Sequence, residues 1–555
     1  MAVDLTRIPQ LARNLNRVIE IAAILAKYGF ADWLARLDAR FLSRWVPVKS
    51  LAPITDATHE ARLRLACTEL GTTFIKLGQM LSTRRDLIGR ELAAELSQLQ
   101  TQVPADPFEV TRATIEAELR QPLSLLFPEF EPVPIASGSI GQVHRARLPS
   151  GRLVAVKVQH PGIRERIEID LAILTELAAL AEEYLSELQS YRPVAIVQEF
   201  QRVLLRELDF RREFRHLQLF RRHFRDDSLV RFPEPIAERS SIRILTLEYL
   251  EGIALSQIDP QSLSDDQATE LARRGAVIFL EMIFRDGFFH ADPHPGNILL
   301  MPGGVIGLLD AGMVGRVDDR LRGLIEAGMS AVIANDAETL TDLIVQIGEI
   351  PIHLDQTLLR LEVADQLAFY WGMPLDQFQL AAALEEFTEA IRRYQIILPP
   401  PLALLLKVLI MLEGTARLLS PRFNLVEVLQ PYQRRFLRRR LSPRFWMRRF
   451  WTMAYDWDEV VLGMPRMIRD LMQIARKQQF AVQLEHHHLE SSVNRLVFGL
   501  LVSSLFVGSA MLWAYRAPPL VGDISLFGIS GCLIAFLLGL RLFRAIQRSG
   551  RLYDS

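Results

Sequence analysis

Between Gly287 and Leu300 the chain reads GFFHADPHPGNILL, which sets His290, Asp292 and His294 at alternating positions. Two chemistries could use that spacing. On an extended segment the three side chains point the same way and offer part of a metal site. On a helix His290 and His294 would share one face, as the paired histidines of zinc peptidases do. Pro293 and Pro295 forbid the helix, because proline removes a backbone donor and clashes with the preceding turn. A further metal ligand would have to come from elsewhere in the chain. The other chemistry is proton handling, with Asp292 beside an attacking hydroxyl and Asn297, five residues on, as an oxygen ligand for a cation.

Three further segments favour the second chemistry, because with this one they lie in the order that phosphoryl transfer from ATP requires. ASGSIGQV, residues 136–143, has the outline of a glycine-rich phosphate loop, G-x-G-x-x-G-x-V. It carries Ala136 at the first glycine position and matches at Gly138, Gly141 and Val143, with Ser137, Ser139 and Gln142 between. Glycine suits such a loop because backbone without a Cβ can close over phosphate oxygens. VAVK ends at Lys157, fourteen residues after Val143, and an ammonium at the end of an apolar strand can meet phosphate as a point charge. In LLDAGMVG, the apolar run Val305 to Leu309 delivers Asp310 to a strand tip, with Gly312 two residues on. Asp310 and Asn297 are the candidate ligands of Mg²⁺, and ATP or ADP is the candidate nucleotide. A lysine on such a strand also needs an acidic partner, and spacing alone selects Glu176, nineteen residues after Lys157.

The elements that must hold these groups are legible in outline. Residues 1–115 carry helical periodicity, in LNRVIEIAAILAKYGFADWLARL and in one amphipathic stretch from Glu69 to Ile88. The pattern then turns to period two. GQVHRARLPSGRLVAVKVQH reads as a β-hairpin with Pro149, Ser150 and Gly151 in its turn. Helices resume from Ile163 to about Phe224, IRILTLEYL is a strand, and from Asp265 onward helix dominates. The eighteen residues from Asp292 to Asp310 leave room for two short strands and their turn. The fold class expected is α+β: a bilobal domain behind a helical extension, with the small lobe at 116–252 and the large lobe at 253–430.

With 555 residues the chain exceeds one core, and about two to four domains are expected. A net charge of −1 gives no global field for nucleic acid, and two distant cysteines exclude a disulfide framework or a Cys-based zinc site. No cleavable secretory signal is read at the N-terminus. Half of the residues are hydrophobic, and the excess sits at the end. From Leu496 to Tyr515 no residue is charged, a length that spans roughly 30 Å as helix. A second apolar run covers Ile524 to Leu540 after the turn RAPPLVGD. Arg495 before the pair, and Arg541, Arg544, Arg548 and Arg551 after it, put both ends on the cytosolic side. Residues 495–541 are therefore expected to be a two-helix transmembrane hairpin, with Trp513 and Tyr515 at an interface. The arginine- and aromatic-rich segment 434–450, within a basic stretch 431–494, reads as an interfacial segment attracted to anionic lipid. His486 to His488, flanked by glutamates, read as a solvated helix face.

At this point the chain resembles the UbiB-type, AarF-related atypical protein-kinase-like family. KLGQ (Lys76 to Gln79) looks like that family's K-x-G-Q signature and ELD (Glu207 to Asp209) like its E-x-D motif; SIGQVH and HADPHPGN are similarly characteristic. The resemblance runs from about residue 50 to 430, and the terminal hairpin is also a family feature. It implies Glu213, not Glu176, as the partner of Lys157, since a helical insert between strand and helix is a family trait. It also implies a helix bearing Lys76 and Gln79 across the site where a peptide would dock, with Lys76 close to Glu207. Three apart on a helix, Lys76 and Gln79 can point into one cleft. The implied role is support of ubiquinone or related prenylquinone biosynthesis at the cytoplasmic membrane. Membrane lipid and prenylated precursors are the implied partners, quinone-biosynthesis enzymes are further candidates, and the oligomeric state stays open, a dimer included. A true protein or small-molecule phosphotransferase and a pseudokinase scaffold are the alternatives. One departure concerns the loop. Many relatives have an alanine-rich loop that disfavours ordinary kinase geometry, and Gly138 restores the central glycine here. Gly138→Ala is therefore expected to change the preference between ATP and ADP in titrations of both, and unchanged affinities would remove any role for that glycine.

Overall fold

The computed structural model describes residues 14–30, 57–99, 103–184, 192–259, 263–351, 354–374, 378–440, 489–521 and 524–548. The chain divides into two units, 1–442 and 443–555. In the first, β1 (Glu129–Phe130), β2 (Ala136–Ser137), β3 (Gly141–Arg147) and β4 (Leu153–Gln159) build the small lobe. β5 (Val230–Arg231) belongs to another sheet, and β6 (Ile244–Glu248) completes the first one. The order is β1-β3-β4-β6, all antiparallel, with β2 on β3. The hairpin β3–β4 turns through Gly151, whose φ of 84° suits a residue without a Cβ.

Period two fixes what each face of this sheet presents. Val154, Val156 and Val158 are fully buried on one face, against Ile115, Leu123, Leu126 and Phe127. Burying each valine contributes about 2 kcal/mol. Lys157 alternates with them and so points to the opposite face, the cleft. The helix Phe108–Leu119 covers the back of the sheet, so the boundary expected at 115/116 falls inside an element of the small lobe.

The helical stretch expected from Ile163 to Phe224 is three helices: Ile163–Tyr184, Pro193–Glu207 and Phe210–His223. Pro193 opens the second, and the Asp209 side chain caps the third by accepting from the Arg211 N–H. Along the third, Phe210, Glu213, Leu217 and Phe220 form the buried stripe. Glu213 thus travels with the core residues of its helix.

After β7 (Ile253–Ala254), the large lobe continues with the helix Asp265–Glu281, started by a capping box between Ser264 and Gln267. Then come β8 (Phe288–His290), β9 (Ile298–Met301), β10 (Val305–Leu308) and β11 (Val314–Arg316). β9 and β10 form the antiparallel pair that the spacing predicted between Asp292 and Asp310. β11 pairs with β8, setting Val314 opposite His290, so the two loops that carry Asp292 and Asp310 leave one short ladder. Helices Ala337–Ile347, Gln356–Trp371 and Leu380–Arg393 form a core of their own, and Pro400–Leu419 packs between it and the lobe.

The single stretch Glu69–Ile88 is broken by Gly71, at φ 93°, between the helices His59–Leu70 and Thr72–Ser82. Gly78 allows Leu96 and Leu99 to close on the second helix, since a Cβ there would lie 2.3 Å from Leu99 Cδ1. Buried Asp170 joins three helices: it accepts from Arg17 at 2.7 and 3.1 Å and from Thr73 Oγ1 at 2.6 Å.

In the second unit, helices Leu489–Ala514 and Leu526–Arg548 pack on each other. Both are long and apolar enough to cross a membrane. Small residues line their seam: a Cβ on Gly528 would meet Trp513 backbone at 2.7 Å, and one on Gly531 would meet Ser509 Oγ at 2.1 Å. The second helix continues past the expected limit at Leu540. Residues 441–488, with most of the basic segment and the three histidines, lie outside the described residues.

Asp170→Ala would take the buried carboxylate from Arg17, leaving it Glu20 and the Leu70 carbonyl, and would strand the Thr73 hydroxyl. A loss of about 3 kcal/mol in denaturant unfolding is expected, with amide exchange in Leu15–Lys27 accelerated more than in β3–β4.

Candidate functional site

The Lys157 ammonium projects from β4 to Glu213 Oε2 at 2.8 Å and to Asp310 Oδ2 at 3.7 Å. Three elements distant in sequence therefore meet on one cation. Burial opposes the Lys157 charge, but Asp310, Glu213 and Glu207 outweigh it and hold the group above the ordinary lysine range. Burial pushes the Glu213 carboxyl up, against the pull of Lys157. Burial also acts upward on Asp310, but Lys157 and the Gly312 N–H more than reverse it, and its pKa falls to about 2. Val143, Lys157 and Leu245 are cross-strand neighbours. Glu176 lies on Ile163–Tyr184, and Lys157 makes its carboxylate contacts with Glu213 and Asp310 instead.

The second half of the site is the segment after β8. Asp292 Oδ2 accepts from Asn297 Nδ2 at 2.9 Å, and Asp292 Oδ1 lies 3.9 Å from the Lys407 ammonium. The Leu309 N–H donates to the Asn297 carbonyl at 3.0 Å, which brings Asn297 beside the residue that precedes Asp310. Asp310 Oδ1 accepts from the Gly312 N–H at 2.7 Å. His290 is buried; its Nδ1 accepts from the Asp292 N–H at 3.2 Å, and burial lowers its pKa against the pull of Asp292 and Asp310. His294 Nδ1 accepts from the Gly296 N–H at 3.1 Å. Both histidines use a ring nitrogen to shape the loop, and no group of three His, Cys, Asp or Glu suited to a metal occurs among the described residues.

The 136–143 loop is tied down from two sides. Thr72 Oγ1 donates to the carbonyl of buried Ser139 at 2.9 Å, and His160 Nε2 lies 2.9 Å from the Gly138 carbonyl while its Nδ1 lies 2.6 Å from Asp106. Gly138 N–H donates to Gly141 at 2.9 Å. A Cβ at Gly141 would stand 2.2 Å from the Val158 carbonyl, so that position admits glycine alone; at Gly138 it would meet Gly141 O at an ordinary 3.5 Å. Ala136 and Ser137 pair with Val143 and Gln142. Ser137 Oγ is buried without a protein partner. Gln142 departs from its expected nucleotide role: its buried amide accepts from Asp106 N–H, donates to Thr111 Oγ1 and touches His144, behind the sheet.

Lys76 reaches from the helix Thr72–Ser82 to ion-pair with Glu207. Gln79 does not follow it into the cleft: its amide donates to the Leu99 carbonyl at 3.1 Å, inside the helical extension. Three residues put the two side chains about 60° apart on the helix, enough to aim them at different neighbours. The Asp209 carboxylate is engaged at a helix start and by Arg211 at 2.8 Å, away from Lys157. Sequence reading missed Lys407, Thr72 and His160. Only Lys407 left a signal, a lone charge in the apolar run LALLLKVLIML.

The ABC1 atypical kinase-like domain matches residues 98–344, the UbiB helical domain 363–424 and the ABC1/UbiB kinase-like C-terminal domain 483–548. A "Probable protein kinase UbiB" of Xylella fastidiosa (strain M23) is 33% identical across 97% of this chain and 100% of its own length. The chain belongs to the UbiB atypical kinase-like family. Another UbiB relative, from Pseudomonas aeruginosa (strain LESB58), is 33% identical across 83% of this chain and 87% of its own. An "Uncharacterized protein in hydrogenase 1 5'region" of Clostridium pasteurianum is 31% identical over 97% of this chain and 100% of its own. A solved structure of Rv3197 with erythromycin, from Mycobacterium tuberculosis, aligns with 59% of this chain and 83% of that one at 21% identity and a TM-score of 0.45. The kinase-like domain, helical domain and C-terminal segment follow in that order here.

Glu213→Gln is expected to weaken nucleotide binding about tenfold by freeing Lys157 from its anchor, whereas Glu176→Gln is expected to leave it unchanged. Fluorescent-nucleotide titration of both variants checks this, and the reverse ranking would return the spacing argument to favour.

Proposed function

We propose that this UbiB-family protein is a membrane-anchored kinase-like ATPase or phosphotransferase that takes Mg-ATP and supports isoprenoid-quinone biosynthesis, of ubiquinone or a related prenylquinone. The observation that carries the reading is the Lys157 ammonium held between Glu213 and Asp310, next to the Asn297–Asp292 pair. The residues present fit the nucleotide and its metal. An amide oxygen on Asn297 and the Asp310 carboxylate are hard donors, which suit a cation that keeps waters and takes the rest of its shell from phosphate. The unpartnered Ser137 hydroxyl suits a loop that receives phosphate oxygens.

Mg²⁺ supplies neutralisation of the β- and γ-phosphate charge. The protein's own residues do the rest. Lys157 meets phosphate oxygens, Asn297 and Asp310 hold the cation, and Asp292 orients the attacking hydroxyl and takes its proton. His290 keeps the Asp292 backbone in place. The helix Thr72–Ser82 grips the loop tip through Thr72 and pairs Lys76 with Glu207. That restraint supports a small or membrane-held acceptor, or water, over a peptide. The two apolar helices support anchorage at the membrane, where prenylated precursors can be extracted, and the arginines that flank them support a cytosolic kinase-like domain.

Lipid extracts of a deletion strain, and of that strain carrying Asp310→Asn, are expected to accumulate the same prenylated quinone precursor by mass spectrometry. Full complementation by Asp310→Asn would replace phosphoryl chemistry with a scaffold role.

A further inference from the structure

Lys407 lies in the helix Pro400–Leu419, whose residues Leu405, Val408 and Leu412 are buried in the main core. A lysine in such company ordinarily runs its stem along the apolar surface and returns its charge to water. This one turns inward. Its side chain is 19% exposed, and the ammonium lies 3.9 Å from Asp292 Oδ1. The other carboxylate oxygen accepts from Asn297, so Asp292 is held at both oxygens. Eight residues along the same helix, Thr415 Oγ1 donates to the Pro293 carbonyl at 3.1 Å. One helix from outside the loop therefore grips it twice, by charge at Asp292 and by a hydrogen bond at Pro293.

The loop itself carries no permanent cation. Ordinary kinase loops read H-R-D, with an arginine directly before the aspartate. Here that position is Ala291, fully buried, and the residues from Pro293 to Gly296 are Pro, His, Pro and Gly. His294 is committed to the Gly296 N–H through Nδ1. The other two lysines of the site are committed as well, Lys76 to Glu207 and Lys157 to Glu213 and Asp310. Asp292 is left with Lys407.

We infer that Lys407 is the positioning residue for Asp292, a cation delivered by the helix Pro400–Leu419 in place of the one that the catalytic loop lacks. The inference rests on the phosphoryl-transfer reading above. In that step the acceptor oxygen bonds to the γ-phosphorus as the bond to the bridging oxygen breaks. ADP leaves with the electron pair, and the acceptor's proton passes to Asp292. Lys407 touches none of the reacting atoms in this scheme. It keeps the carboxylate pointed at the hydroxyl, and without it Asn297 alone holds Asp292, free to swing about one oxygen.

The test uses the full chain in lipid nanodiscs with Mg-ATP, following phosphate release and single turnovers of labelled ATP so that slow variants remain measurable. Lys407→Met is expected to lower kcat about ten- to hundredfold, the usual effect of misplacing a reacting group by an ångström. KM for ATP, the Kd for Mg-ADP and the melting midpoint should stay within the range of the unaltered protein. Lys407→Arg should recover most of the rate. In an Asp292→Asn background, Lys407→Met should cost less than twofold more, because a residue that acts through Asp292 has nothing left to position. An equal loss in that background, or a loss shared with ADP binding, overturns the assignment. Unaltered protein that turns over ATP while Lys407→Met does so equally well overturns it too. An unaltered protein without turnover would instead sink the phosphoryl-transfer reading itself.

Discussion

A lysine ammonium taken out of water costs several kcal/mol unless carboxylates surround it. Lys157 meets that condition only when three separate elements are correctly placed. β4 must alternate so that its valines face the helix Phe108–Leu119 and Lys157 faces the cleft. The helix Phe210–His223 must roll until Glu213 lies in its buried stripe. The loop after β10 must end with Asp310 at the same ammonium, which the ladder between β8 and β11 enforces. A fault in any one leaves a charge buried without its partner. The ion pair and the packing of the two lobes are thus a single constraint, and the loop around Asp292 inherits its place from it through the bond between Leu309 and Asn297.

The helical extension acts on this frame rather than beside it. The helix Thr72–Ser82 touches the glycine loop at its first residue and Glu207 one turn later. Its own position is fixed by Asp170, through Thr73 and Arg17. A phosphate loop that closes over a nucleotide is usually free at its tip. Here the Gly138 and Ser139 carbonyls are both occupied, by His160 and Thr72. Movement of this loop and the seating of the extension are therefore physically linked.

Much of this was legible in local patterns. The β3–β4 hairpin followed from period two and a Pro-Ser-Gly turn, and the β9–β10 pair from the length of chain between Asp292 and Asp310. Where expectation and structure part, a specific contact decides. Gly71 at positive φ splits a stretch whose apolar period runs on. Gln142, within the loop signature, turns behind the sheet, because adjacent strand residues face opposite sides. Gln79 parts from Lys76 because a three-residue step does not return to the same helix azimuth.

By itself the sequence determined the order of the chemical groups, the secondary structure that carries most of them and the two apolar C-terminal helices. Each of these depends on periodicity or on residue type within a short window. Tertiary structure decided between Glu176, which spacing favours for Lys157, and Glu213, which the family resemblance implies, by bringing the buried face of the latter's helix to the ammonium. It also decided that Asp292 is held by Lys407, more than a hundred residues away in sequence. Such pairings form between helix faces and loops that meet only after packing, and one-dimensional spacing carries no record of them.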